Sequence, residues 1–205
     1  MKEFAPRSYL DTPYLSQWGP TANVRKGDCG PACVAMIVRD LSLDAKPTVN
    51  EAAATCGQPA TGPGSYYTGH KQLRDGAERY GVTLVTRSKY RPPILDMELL
   101  ETCLIAGLPS IALIHYGVLR DETNKLLAVT GYVKNQDQTY ERGHWVVVIG
   151  MDKKDVWIHD SDFWGEREQD GNARAVPRFA FFRALEAVAP GCSVGNQGLI
   201  VEVTG

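Results

Sequence analysis

A chain of 205 residues, 43% hydrophobic and 22% charged, carries enough apolar material for a real core and has the composition of an ordinary soluble globular protein. A net charge of −2, a pI near 6.1 and the lack of any Lys or Arg run give no surface for a polyanion, so no nucleic-acid partner is expected. The opening Met1-Lys2-Glu3-Phe4-Ala5-Pro6-Arg7 lacks the apolar stretch of a secretory signal, and no run of about 18 apolar residues follows. The expectation is a cytoplasmic chain with no membrane partner.

The five cysteines, Cys29, Cys33, Cys56, Cys103 and Cys192, form an odd, scattered set that suits reduced thiols better than a disulfide framework. Cys29 and Cys33 lie four apart, but no second Cys or His pair follows at ligand spacing, and His70, His115, His144 and His159 are dispersed. Neither a metal nor another cofactor is expected.

In chain order, residues 11–28 are rich in Pro, Gly and Asn and read as an extended loop. From Gly30 to about Asp40 the sequence is apolar nearly all round, the pattern of a helix buried at the centre of a domain, with Pro31 where a first turn tolerates it. Short helices follow at 49–56 and 69–80, where Leu73, Ala77 and Tyr80 recur at helical spacing before Gly81. A strand over 82–86 leads to a helix opened by Pro93 and running to about Ala106, then to the apolar run Ile111-Ala112-Leu113-Ile114. Strands are expected near 126–133, 143–150, 155–160 and 198–203, with a helix near 179–188. Helices first and an antiparallel sheet second make an α+β fold, read as one domain over 1–205 with a helical lobe to about 108 and a sheet lobe from about 109.

Cys29 stands at the head of the first helix. A catalytic cysteine reacts as a thiolate, and the unpaired N–H groups and dipole of a helix start favour that charge. Cys33, one turn deeper, reads as core. Gly143-His144-Trp145-Val146-Val147-Val148-Ile149-Gly150 puts a histidine at the mouth of an apolar strand, a rigid mount for a base. If the strand Asp155-Val156-Trp157-Ile158-His159-Asp160, which ends in a carboxylate, pairs with it as a hairpin over Met151–Lys154, Asp160 falls beside His144 and accepts its other ring N–H. Asp162 is the spare acid, placed on the same strand face as Asp160 by a two-residue spacing. His115 is the competing base, His159 is expected to point away from His144, and His70 reads as a solvated helix residue. For a developing oxyanion the chain offers the backbone N–H of Cys29 and an upstream amide, Gln17 in Ser16-Gln17-Trp18-Gly19 or Asn23 nearer the cysteine.

The run Tyr14-Leu15-Ser16-Gln17-Trp18-Gly19, then Asp28-Cys29-Gly30-Pro31-Ala32-Cys33, then Gly143–Gly150 and the strand ending in Asp160 resembles the bacteriocin-processing (double-glycine leader) peptidases and their stand-alone papain-like relatives. The resemblance implies a papain-like fold and a cysteine peptidase with a peptide or protein substrate. It also implies that Gln17 helps the oxyanion, Cys29 attacks, His144 moves the proton and Asp160 orients it. Two departures stand out: Gln17 lies 12 positions before Cys29, farther than in relatives, and Asp160 is followed by Ser161 where they have proline. The alternatives are a papain-like cell-wall amidase or endopeptidase and a catalytically silent papain-like module that binds peptides. Substrate-lining candidates are Trp18, Tyr66, Tyr67, Tyr116, Trp145 and Trp164.

Overall fold

The computed structural model describes residues 9–18, 27–57, 68–86, 93–119, 143–163, 165–188 and 200–204. The first helix, α1 (Cys29–Leu41), is buried at every position from Gly30 to Val38, as its lack of a polar stripe requires. It ends where the Ser42 N–H returns to the Val38 carbonyl and Arg39 Nε donates to the Pro47 carbonyl at 2.8 Å. Helix α2 (Val49–Thr55) starts with a capping box: the Glu51 N–H donates to Thr48 Oγ1, and the Thr48 N–H to Glu51 Oε2 at 2.7 Å. Helix α3 (His70–Glu78) runs to a turn closed by Gly81 at φ +76°. These three helices pack on one another, and α1 lies against the sheet.

The remaining elements are β1 (Leu84–Thr86), α4 (Pro93–Ile105), β2 (Ser110–His115), β3 (Gly143–Met151), β4 (Asp155–His159), β5 (Arg174–Pro177), α5 (Arg178–Val188) and β6 (Ile200–Val203). Two 3₁₀ turns, Tyr116–Val118 and Gly165–Gly171, follow β2 and β4. The strands form one antiparallel sheet in the order β1-β6-β2-β3-β4-β5. β3 is buried at every position after Gly143, which means helices cover both sheet faces: α1 packs on β3, and α5 packs on β2.

The expected hairpin forms. β3 and β4 join through a turn in which Asp152 Oδ1 accepts the N–H groups of Lys154 and Asp155, with a register shift between Val148 and Gly150. Next to that shift the Leu10 N–H donates to the Ile149 carbonyl, tying the N-terminal segment to the sheet. Strand β5, absent from the sequence expectation, extends the sheet beyond β4. The strand expected over 126–133 lies outside the described residues. Among those residues no helix is long and apolar enough to cross a membrane.

Candidate active site

Cys29 is the first residue of α1 and stays partly exposed, while Cys33 one turn on is fully buried. Gly30 between them has a steric reason. A Cβ there would sit 2.6 Å from the Thr68 Cβ, so only glycine lets the start of α1 approach that segment. The Thr68 carbonyl in turn accepts the indole N–H of Trp145 at 2.8 Å, linking the head of α1 to the strand that carries the histidine.

His144, second residue of β3, is 2% exposed and stacks on the Tyr116 ring with centroids 4.4 Å apart. Its Nε2 donates to Asp160 Oδ1 at 3.0 Å, which leaves Nδ1 free of the acid, and the neighbouring Cys29 side chain favours the protonated ring. Asp160 follows the last residue of β4 and is fully buried. Its backbone N–H donates to the Gly171 carbonyl at 2.9 Å, its Oδ1 also accepts the Asp162 N–H, and its Oδ2 accepts Tyr116 Oη at 2.7 Å and Arg174 Nη1 at 2.9 Å. Burial pushes the carboxyl's pKa up, but the His144 bond and charge, Arg174 and Tyr116 together outweigh it and hold it down to about 2. For His144 burial opposes protonation, and the bonds to Asp160 and Cys29 overcome it, holding the imidazole well above its usual range. An imidazolium facing a cysteine sulfur, with an ionised acid behind it, is an arrangement suited to acyl transfer.

Gln17 reaches the same corner from the N-terminal segment. Its backbone N–H donates to the Ser161 carbonyl at 2.9 Å, its Oε1 accepts Ser161 Oγ at 2.9 Å, and its Nε2 points at Asp162 Oδ1 at 3.4 Å. Ser16 Oγ on the Phe163 carbonyl and Tyr14 Oη on the Asp160 carbonyl anchor the segment further. The rival amide, Asn23, lies outside the described residues, as do Tyr66, Tyr67, Trp164 and Cys192.

Three expectations need correction. Asp162 does not share a strand face with Asp160, because β4 stops at His159 and Asp160–Asp162 form a turn. Its carboxylate accepts Trp18 Nε1 at 2.9 Å and faces Gln17, while the carboxylate bonded to His144 is that of Asp160. His70 is buried rather than solvated, with its ring edge-on to Trp145 at 5.0 Å. Trp145 itself is core, 3% exposed. As expected, His159 points away from His144: its Nε2 donates to the Thr12 carbonyl and its Nδ1 accepts the Ala173 N–H. His115 closes β2, and its Nδ1 has no partner among the described residues.

Sequence reasoning missed Arg174 as a site residue and named Tyr116 only as a cleft candidate. Tyr116 carried one usable signal, its place immediately after a buried strand whose neighbour in the sheet holds His144.

Asp162 also carries a stability prediction. Burial raises its carboxyl to about 7, with His144 pulling down and Asp160 pushing up. A carboxyl raised in the folded state keeps its full contribution below the unfolded value near 4 and loses it as pH climbs toward 7. Asp162→Asn removes that loss. Thermal unfolding followed by calorimetry is expected to show the variant matching the wild type near pH 4 and exceeding it near pH 8, by on the order of 3 kcal/mol.

The fold has solved counterparts. It resembles a protein described as a candidate C39-like peptidase from Bacillus anthracis, with 17% identity, a TM-score of 0.58 and 95% of each chain covered. It also resembles the peptidase domain of Streptococcus ComA, a bifunctional ABC transporter involved in a quorum-sensing pathway. There the identity is 12% and the TM-score 0.50, with 93% of this chain and 96% of that one covered. No curated protein matches the chain. The architecture is thus the papain-like one of C39 peptidase domains, in which helices and an antiparallel sheet combine. The sequence model of the Peptidase_C39 like family matches residues 9–184, so the chain belongs to the Peptidase_C39 like family.

Proposed function

We propose that this protein is a cysteine peptidase that hydrolyses peptide bonds through a Cys29-His144-Asp160 triad. The observation that carries the reading is that the buried His144 ring is bonded to Asp160 at Nε2 and neighbours Cys29, at a helix N-terminus, closely enough for that side chain to favour the protonated ring. In the first step the Cys29 sulfur attacks the scissile carbonyl carbon, and the oxygen takes up negative charge. Collapse breaks the C–N bond, the His144 proton goes to the leaving amine, and a thioester remains on Cys29. Water, deprotonated by His144, then attacks the thioester, releasing the acid and restoring the thiol.

Gln17 and the Cys29 backbone N–H serve the oxyanion in this reading. What supports Gln17 is that it is buried and its side chain is fixed at both ends by the turn that carries Asp160. Gln17→Ala is expected to lower kcat about a hundredfold with KM within about twofold, the pattern of a group that acts in the transition state.

The functional test is to incubate the purified protein with a pool of unstructured peptides and, separately, with muropeptides. Cleavage of the peptides, stopped by prior iodoacetamide treatment, is the expected result. Cleavage of muropeptides alone would transfer the activity to the cell wall, and cleavage of neither would leave a peptide-binding module.

A further inference from the structure

Asp160 is held from the side opposite His144 by a cation that the triad chemistry does not itself use. Arg174 Nη1 lies 2.9 Å from Oδ2, its side chain 14% exposed and its guanidinium 5.0 Å from the centroid of the Phe163 ring. Phe163 and the sheet order fix the arginine's path, because β5 pairs with β4 with Arg174 opposite Ile158. Tyr116 Oη takes the same oxygen at 2.7 Å. Oδ2 is thereby filled, and Oδ1 is the oxygen that meets the imidazole.

Resting on the triad reading, we propose that Arg174 is a positioning residue of this site: it occupies the Oδ2 edge of Asp160 so that Oδ1 faces the Nε2–H of His144, and its charge limits how strongly the carboxylate stabilises the imidazolium. The proton on the other ring nitrogen must leave for the departing amine in every turnover, while the Nε2 proton stays with the pair. A buried carboxylate without a counter-cation would stabilise the imidazolium more strongly, because the interior screens the attraction poorly. The other titratable groups around the His144–Asp160 pair are Cys29 and Cys33 of α1, Tyr14 of the N-terminal segment, Tyr116 and Asp162, with Glu168 near Tyr14. Among these described groups Arg174 is the permanent cation.

The test is an NMR titration of the His144 ring, its signal identified by its loss in His144→Ala, in wild type, Arg174→Met and Arg174→Lys. Arg174→Met keeps an apolar stem against Phe163 and removes the charge. The expected result is a His144 midpoint about one pH unit higher in Arg174→Met and close to wild type in Arg174→Lys. Iodoacetamide labelling of Cys33 is expected to stay slow in both, showing that α1 remains packed. Should Arg174→Met expose Cys33, Arg174→Gln decides by the same midpoint, since it keeps a donor to Oδ2 without the charge. An unchanged midpoint in a folded, charge-free variant would reduce Arg174 to a structural contact and overturn the proposal. An unaltered iodoacetamide rate at Cys29 in His144→Ala would overturn the triad reading beneath it instead.

Discussion

Replacing Cys29 by alanine is expected to abolish peptide cleavage, with kcat falling by at least about 10⁴-fold, because the sulfur is the atom that bonds to the substrate. His144→Ala is expected to cost about as much, and the double variant no more than either, since groups acting as one unit do not add. Asp160→Asn tests the third member. Were Asp160 only to orient the ring, the loss would be mild. Yet Oδ1 accepts from His144 Nε2 and the Asp162 N–H, and Oδ2 accepts from Tyr116 and Arg174. An amide NH₂ must face one of these donor sets whichever way it turns, so the imidazole loses its anchor or Arg174 loses its acceptor. Steady-state rates on a peptide cleaved by the wild type measure all three, and an active His144→Ala would transfer the base to His115.

The second large effect is expected at Gly171, which contains no functional atom. A Cβ built there would overlap the Asp160 carbonyl oxygen and would lie 2.5 Å from Tyr14 Oη and 3.1 Å from the Phe163 ring. The Asp160 N–H is already bonded to the Gly171 carbonyl, so the two backbones have no room to separate without breaking that bond. Gly171→Ala therefore moves Asp160 away from His144 or breaks the turn. The expected outcome is a loss of about 2–3 kcal/mol in chemical denaturation, as for an overpacked core. With it goes about a hundredfold loss of kcat, the usual cost of a misplacement near 1 Å. Gly171→Ala with wild-type activity would mean that the turn tolerates a displacement that the hydrogen-bond geometry does not.

The parts of this site that could be read from sequence are those whose signal is local. An all-apolar run following Asp28-Cys29-Gly30-Pro31 specifies a buried helix with the cysteine at its head, and the hairpin over Met151–Lys154 carries Asp160 to His144. Gln17 was legible as an amide near Trp-Gly, but its register was not. Its partners, Ser161 and Asp162, lie 144 and 145 residues away. Arg174 was illegible because β5 is four residues long and acquires meaning only from its place beside β4. Asp162 was misplaced because period-two alternation was extended past His159, where the Gly171 carbonyl takes the Asp160 N–H and the chain turns. The polar surroundings of His70 on α3 suggested a solvated ring, whereas tertiary packing against Trp145 buries it.

The most direct test of the central claim is the intact mass of the protein quenched in acid during turnover of a cleaved peptide, followed by peptide mapping. The account predicts a mass increase equal to the acyl portion of the peptide, carried on Cys29 and released by hydroxylamine, as a thioester requires. Continued cleavage with no adduct on Cys29, or an adduct on another residue, would contradict it.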